Sequence, residues 1–454
     1  MPESNSSSVA RSARLTRRNM VKAMGAAGLV GSTAGCLGGD DEPGPVDDED
    51  LEDVEITFWE YFGGTEQDEI NALVDEFNEQ HDDITVEMEN VPFGDFFESV
   101  FTGIASESAP HVTTYWMSFS EFMRNEGAID PITDHMEVSI DDYYESAHPA
   151  MQLDGEVYAL PMDVHGFGLW ANNTVLDDAG VDDIPDDWDS FEAACNQIQE
   201  NTDARPAAIM ENNDGVSGMR TYLTVLSQED ESSLVEETED GWEVVYDQTD
   251  GGQNAAQFLD DFTGDYGWDE PELSDDEERI NAFINNELGF FLGGNWMVNL
   301  MQDEDGELID GLDMSFTEPF VFPGGNNGTF AESTGYFFPS DPSHTPEERT
   351  AAVRFAEWVT TNNPLWAQTA GHLPGAVEVG ESDEVTESEY YADFGIVSTL
   401  DEMAAAGEMI YQPRLPVDLY ETGIASPMVD IYAQNTDPDE ALSSSAETLR
   451  DRLS

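Results

Sequence analysis

Within residues 54–88 the hydrophobic period changes from 2 to 3.6 and back to 2, which restricts this part of the chain to one kind of supersecondary unit. Val54, Ile56 and Phe58 alternate with polar neighbours, Ile70, Leu73, Val74 and Phe77 recur at helical spacing, and Ile84, Val86 and Met88 alternate again. The spacing predicts strand, helix and strand. Two strands joined in this way pair in parallel through a right-handed crossover, so the segment belongs to an open α/β sheet. A further helix carrying Phe96, Phe97, Val100, Phe101 and Ile104 and a strand over residues 112–116 extend it. Open sheets bind ligands beyond the carboxyl ends of their strands. Here those ends are residues 59–64 and 115–118, both rich in aromatic and small polar side chains. A body of roughly 400 residues is too long for a single core and predicts two such lobes.

A second informative stretch, LDGEVYALPMDVHGFGLWANNTVLDDAGVDDIPDDWDSF, covers residues 153–191. Asp154-Gly155 is a hairpin turn signal, and Val157 and Ala159 lead from it to Pro161. An extended run over residues 166–170 follows, and Asp187 is the expected N-cap of a helix that carries Trp188 and Phe191. The order resembles extracellular solute-binding proteins of the carbohydrate class, the receptors of ABC importers related to maltose-binding protein. That family has a DGKxYGLP strand passing from the first lobe to the second, then an LYYN strand and a PxTWxEF helix start. Their counterparts here are residues 154–161, 169–172 and 185–191. FINNELGFFLGGNW at residues 283–296 is similar to the family segment in which a strand ends at a glycine turn and presents a tryptophan to the cleft. Residues 333–340 read as a strand with a break at Gly335, Thr345-Pro346-Glu347-Glu348 reads as a capped helix start, and the 370–374 turn is similar to the family's G..P turn.

The resemblance implies an α/β, two-lobed periplasmic-binding-protein-like fold of type II. Each lobe would be an open, mostly parallel sheet flanked by helices, with three crossovers near residues 162–164, 319–322 and 360–362. The implied division is a first lobe of residues 54–163 plus 322–361 and a second of 164–321 plus 362–454.

Residues 1–35 read as an export leader. Arg17-Arg18 is a twin-arginine signature for Tat export, the apolar run over residues 23–30 is too short to span a bilayer, and Thr33-Ala34-Gly35 before Cys36 is a lipobox. Cys36 is thus the expected lipidation site, and the acidic residues 36–53 a solvated tether. The leader takes five of the fourteen cations and one of the 99 acids, leaving nine arginines, no lysine and a formal charge of −89. Such a chain repels itself at low ionic strength. At molar salt the screening length is only about 3 Å and the repulsion is muted. A halophilic, haloarchaeal-type lipoprotein on the extracellular face of the cell membrane is the expectation. A disordered acidic protein is excluded by 39% hydrophobic and 10% aromatic residues, enough to build a core. Without a basic surface, nucleic acid is not an expected partner. Cys195 is the one cysteine after Cys36, and its neighbours Ala194 and Ile198 suggest a packed helix face.

For chemistry, the seven histidines are scattered with no metal-ligand pair in the sequence, there is no G-x-S-x-G and no D-x-D-x-D-G loop, and a P-loop or Schiff-base lysine is excluded after the leader. No cofactor and no metal is expected. Sugars offer apolar C–H faces ringed by hydroxyls, so their sites combine flat aromatic platforms with planar polar groups. The resemblance puts Trp59, Trp116, Trp296 and Tyr420 on cleft loops, with Glu60, Asp163, His165 and Arg414 as hydroxyl partners. Trp170 and Trp188 read as structural. The leading reading is a monomeric, non-enzymatic receptor that hands a sugar or oligosaccharide to the transmembrane subunits of an ABC permease. The alternatives are a secreted polysaccharide-acting glycosidase, for which the many carboxylates leave room, and the same fold with a peptide, polyamine or metal cargo.

The charge argument predicts that dialysis from molar to about 0.1 M salt, where the screening length grows to about 10 Å, abolishes the near-UV circular dichroism. A folded signal and melting temperature that hold constant across that change would contradict it.

Overall fold

The computed structural model describes residues 45–46, 51–210, 217–238, 241–269, 276–303, 308–322, 325–411 and 420–453. The leader, Cys36, most of the tether and Arg414 lie outside the described residues; of Tyr420 only the backbone is described, at the start of the turn Tyr420–Ala425.

The predicted strand-helix-strand unit forms as β1 (Val54–Glu60), α1 (Gly64–Gln80) and β2 (Ile84–Asn90). β1 pairs in parallel with β2 along its whole length and with β3 (Val112–Trp116) on its other side. Ile70, Leu73, Val74 and Phe77 form the buried stripe of α1. A hairpin turn at Asp154 and Gly155, both with positive φ (54° and 87°), feeds β4 (Ala159–Pro161). The first sheet has the order β2-β1-β3-β10-β4, where β10 is Thr334–Phe337 and is antiparallel to both neighbours. Gly335 does not break this strand. A Cβ there would lie 2.4 Å from Met117 Cγ, so the glycine leaves room for the Met117 side chain to pack on the strand. The helix α5 (Pro346–Thr361) starts in the expected Thr345/Glu348 capping box. It packs Phe355 against Phe58 and Phe77 at 5.3 and 5.2 Å, a burial that contributes about 2–3 kcal/mol.

β5 (Asp163–Asn172) is the axis of the second sheet, and all ten of its residues are buried. It is antiparallel to β7 (Leu288–Gly294), β8 (Met314–Thr317), β9 (Thr329–Glu332) and β11 (Leu373–Pro374). β6 (Arg205–Ile209) joins β7 in parallel, and β12 (Met409–Tyr411) joins β9 in parallel. Both sheets are therefore mixed where the pattern predicts mostly parallel ones. The strands that arrive from the other sheet, β5 and β10, run against their neighbours. Helices cover the second sheet, among them α3 (Trp188–Asn201), capped by Asp187 with Ser190 and burying Cys195, and α4 (Ser217–Ser227).

The chain passes from the first sheet to the second at Met162, between β4 and β5, and returns at Ser333, between β9 and β10. This corrects the expected second crossover at 319–322 and the lobe boundary drawn there. β8 and β9 both belong to the second sheet, and the intervening Phe320 stacks on Phe191 at 3.9 Å while Phe322 packs against Phe258 at 4.6 Å. Their aromatic burial keeps the segment in the second core. After α5, which lies on the first sheet, β11 pairs again with the start of β5.

Among the described residues arginines hold carboxylates: Arg124 with Asp154, Arg205 and Arg279 with Asp269, Arg349 with Asp130, Arg354 with Glu137 and Glu357, and Arg450 with Asp247. The scarce cations are thus used to fasten elements together.

Candidate functional site

The first crossing places Asp163 at the start of β5, fully buried between the sheets. Its Oδ1 accepts the Thr334 amide of β10 at 2.7 Å. Its Oδ2 faces three donors: His165 Nδ1 at 3.1 Å, Trp366 Nε1 at 3.3 Å and His372 Nδ1 at 2.5 Å. Burial alone would raise the Asp163 carboxyl, but His165 and His372 outweigh it and hold the group well below the usual carboxylate range. Burial keeps the His165 imidazole below its ordinary value against the pull of Asp163. For His372 burial acts in the same direction, yet Asp163 and Glu66 overcome it and raise the group. Glu66, on α1, lies 3.8 Å from His372 Nε2 and is held by Asn299 Nδ2 at 2.9 Å. One ligand atom each from Asp163, His165 and His372 falls within 4.8 Å of the others. The two histidines, which form no ligand pair in the sequence, are therefore brought together by β5 and the approach to β11.

Beside this node an aromatic bridge spans the sheets. Trp116 ends β3 of the first sheet. Trp296 follows the Gly293-Gly294 end of β7 in the second, in the turn Asn295–Met301. The Arg220 guanidinium carbon, on α4, sits 4.9 Å from the Trp116 ring centre, 5.1 Å from that of Trp296 and 5.7 Å from that of Phe330. Cation–π contacts of this kind contribute about 0.5–2 kcal/mol each, more where water is excluded. Trp296 also meets His165 edge-on at 5.4 Å and Phe167 at 5.7 Å. Both tryptophans are half-buried. Glu332, the last residue of β9, is fully buried below the bridge and accepts the amides of Ser118 (3.2 Å) and Ser333 (3.0 Å). Burial pushes its carboxyl up to about 7 against those bonds and Arg220. Ser333 Oγ lies 2.7 Å from the Tyr411 hydroxyl.

The structure thus brings together Trp116, Trp296, His165 and Asp163 from the expected set. Two polar members take other work. Glu60 is fully buried and accepts Phe62 N at 2.6 Å and Asn90 Nδ2 at 2.8 Å, which fastens the turn after β1 instead of facing a cleft. Asp163 has both oxygens engaged by protein donors, which suits an anchor between lobes better than a sugar-hydroxyl partner. Trp59 is half-buried on β1, and among the described residues no ring contact joins it to Trp116 or Trp296. Trp170 is fully buried and Trp188 lies within an aromatic cluster with Trp268 and Phe322, as structural residues should. Sequence reasoning missed Arg220, Glu332, His372, Glu66 and Trp366. The scarcity of arginine was the one signal pointing at Arg220.

Two mixed α/β sheets joined at chain crossings, with rings from both sheets meeting over a buried anchor, define a binding protein of the two-lobed periplasmic type II class. The sequence profile described as bacterial extracellular solute-binding protein matches residues 63–363, and the chain belongs to this family. An arabinooligosaccharide-binding protein of Halalkalibacterium halodurans is 29% identical over 167 residues, 36% of this chain and 37% of that one. The diacetylchitobiose binding protein DasA of Streptomyces coelicolor is 26% identical over 191 residues, 42% and 45% of the two chains. The chain thus spans about two fifths of the length of these curated relatives. The crystal structure of a cyclic α-maltosyl-1,6-maltose binding protein from Arthrobacter globiformis superposes with a TM-score of 0.71 at 20% identity, covering 88% of this chain and 99% of that one.

Glu332 binds its proton more tightly in the folded state than its ordinary value of 4.5 allows when exposed, so its contribution to stability is present below pH about 4.5 and is lost as pH rises through about 7. Compared with Glu332→Gln, the wild-type chain should lose about 3 kcal/mol of unfolding free energy over that window. Chemical denaturation of both proteins at matched molar salt checks this, and parallel pH profiles would refute it.

Proposed function

We propose that this chain is the substrate-binding receptor of an ABC importer, capturing a sugar or oligosaccharide between its lobes and delivering it to membrane permease subunits. The observation that carries the reading is the meeting of Trp116 and Trp296 from opposite sheets across Arg220, two half-buried rings with a planar donor between them. Sugar rings stack on such faces while their hydroxyls take hydrogen bonds from the guanidinium and neighbouring polar groups. The relatives described above are named for oligosaccharides, which supports the same ligand class here. Trp59, His165, Arg414 and Tyr420 complete the proposed ligand set. Receptor action without chemistry is supported by the relatives described above, which are named as binding proteins.

The lobes of this reading are residues 54–162 with 334–361, and 163–332 with 362–454. The twin arginine, short apolar run and lipobox of the leader support Tat export and a lipid anchor at Cys36 on the extracellular face. One acyl chain holds a protein only marginally, so a second chain or the permease itself would complete the attachment. The protein acts as a monomer in a halophilic setting, where its charge is screened.

A thermal-shift screen of mono- and oligosaccharides in molar salt tests the ligand class, because a sugar at 100 times its Kd adds about 2.7 kcal/mol of stability. With the sugar so found, Trp296→Ala should weaken binding by about 1–3 kcal/mol and change the unfolding free energy less. A loss of about 3–5 kcal/mol of stability with unchanged affinity is the behaviour of a core tryptophan and would remove it from the site.

A further inference from the structure

The node around Asp163 is over-supplied with donors. A carboxylate oxygen has two lone-pair directions, yet Asp163 Oδ2 receives His165 Nδ1, His372 Nδ1 and Trp366 Nε1 within 3.3 Å. On the far side of the His372 ring the reverse holds. Among the described residues its buried Nε2 has no hydrogen-bond partner, and Glu66 Oε1 stands off at 3.8 Å. The His372 ring thus lies between two carboxylates, Asp163 at Nδ1 and Glu66 beyond Nε2, and a cation in place of the proton at Nδ1 would leave the ring proton on Nε2, facing Glu66.

We propose that Asp163 Oδ2 and the Nδ1 atoms of His165 and His372 form a binding site for one divalent transition-metal ion of the zinc class at the crossing between the lobes. Two imidazoles and one carboxylate are a donor set that suits such an ion over calcium or magnesium, which take oxygen ligands. A tetrahedral ion with bonds of about 2.0–2.2 Å needs its donors about 3.3–3.5 Å apart. The His165–Asp163 and His372–Asp163 pairs stand at 3.1 and 2.5 Å, and all three atoms lie within 4.8 Å, so shifts on the order of 1 Å or less in each ring admit the ion. The surroundings match a second shell. Asp163 Oδ1 is fixed by the Thr334 amide, and His372 Nε2 faces Glu66, itself fixed by Asn299. That carboxylate–histidine–metal order is the usual way a ligating ring is oriented. The ion would tie β5 to the segment entering β11, beside Trp296, and so stiffen the crossing independently of which solute the lobes enclose.

The test is titration of the chelator-treated chain in molar salt with Co2+, followed by Zn2+ competition. Co2+ bound through imidazole in a low-coordinate site gives intense d–d bands at long visible wavelength, whereas octahedral Co2+ on the many surface carboxylates absorbs only weakly. The expected result is one absorbing Co2+ per chain, displaced by one Zn2+, with affinity reduced at least 100-fold in a His165→Gln/His372→Gln double variant. Glu66→Gln, outside the ligand set, should lower affinity by about 10- to 100-fold while keeping the near-UV circular dichroism. It decides the matter even where the double variant does not fold. Absence of the absorbing species in the wild-type chain, or an affinity unchanged by Glu66→Gln or by the double variant, overturns the proposal.

Discussion

The buried carboxylate of Asp163 is the contact on which the joining of the two sheets depends. Moving a carboxylate out of water costs several kcal/mol even after relaxation, and the cost is offset only where donors surround it. Here the donors come from every part of the crossing: the Thr334 amide from β10, His165 from β5, Trp366 from the helix after α5, and His372 from the approach to β11. The chain makes its passages between sheets beside this one group. A fixed set of bonds at the crossing leaves bending there as the low-cost motion, while surfaces farther out separate and meet. That is the mechanical requirement of hinge closure.

The aromatic bridge spans the two sheets beside that crossing. Trp116 belongs to the first sheet, whereas Arg220 and Trp296 belong to the second. A ligand entering between them, as proposed, would exchange ring–guanidinium contacts for ring–ligand contacts, and closure would be stabilised only as far as that ligand binds the closed form better than the open one. The charge of the chain bears on the same balance. With most of its arginines committed to structural pairs, the chain's large excess of acids is left for salt to screen.

Much of the fold was legible because it is written locally. The β1-α1-β2 unit rests on two alternating runs and one helical stripe, and the Asp154-Gly155 turn, the Asp187 cap and the Thr345 box each formed as short-range chemistry dictates. The second crossing was misplaced because its position at residues 319–322 came from the resemblance and from no signal in the residues themselves. What decides its place is a set of partners, Phe191, Trp188 and Phe258, that local periodicity does not reveal. Of the proposed site, the placement of the aromatics was legible and that of the buried anchor was not. Trp116 and Trp296 sit at strand ends where the pattern puts them, while Asp163 and His372 are 209 residues apart and meet only through β5 and β11. Arg220 belongs to no motif, and only its rarity in a lysine-free body marks it.

The central claim is that the two sheets close about the Asp163 crossing when a sugar enters between them. Small-angle X-ray scattering of the chain in molar salt, with and without a sugar that stabilises it, measures this most directly. The account predicts a smaller radius of gyration with the sugar bound. A radius that stays the same at saturation, with binding demonstrated on the same sample, would contradict it.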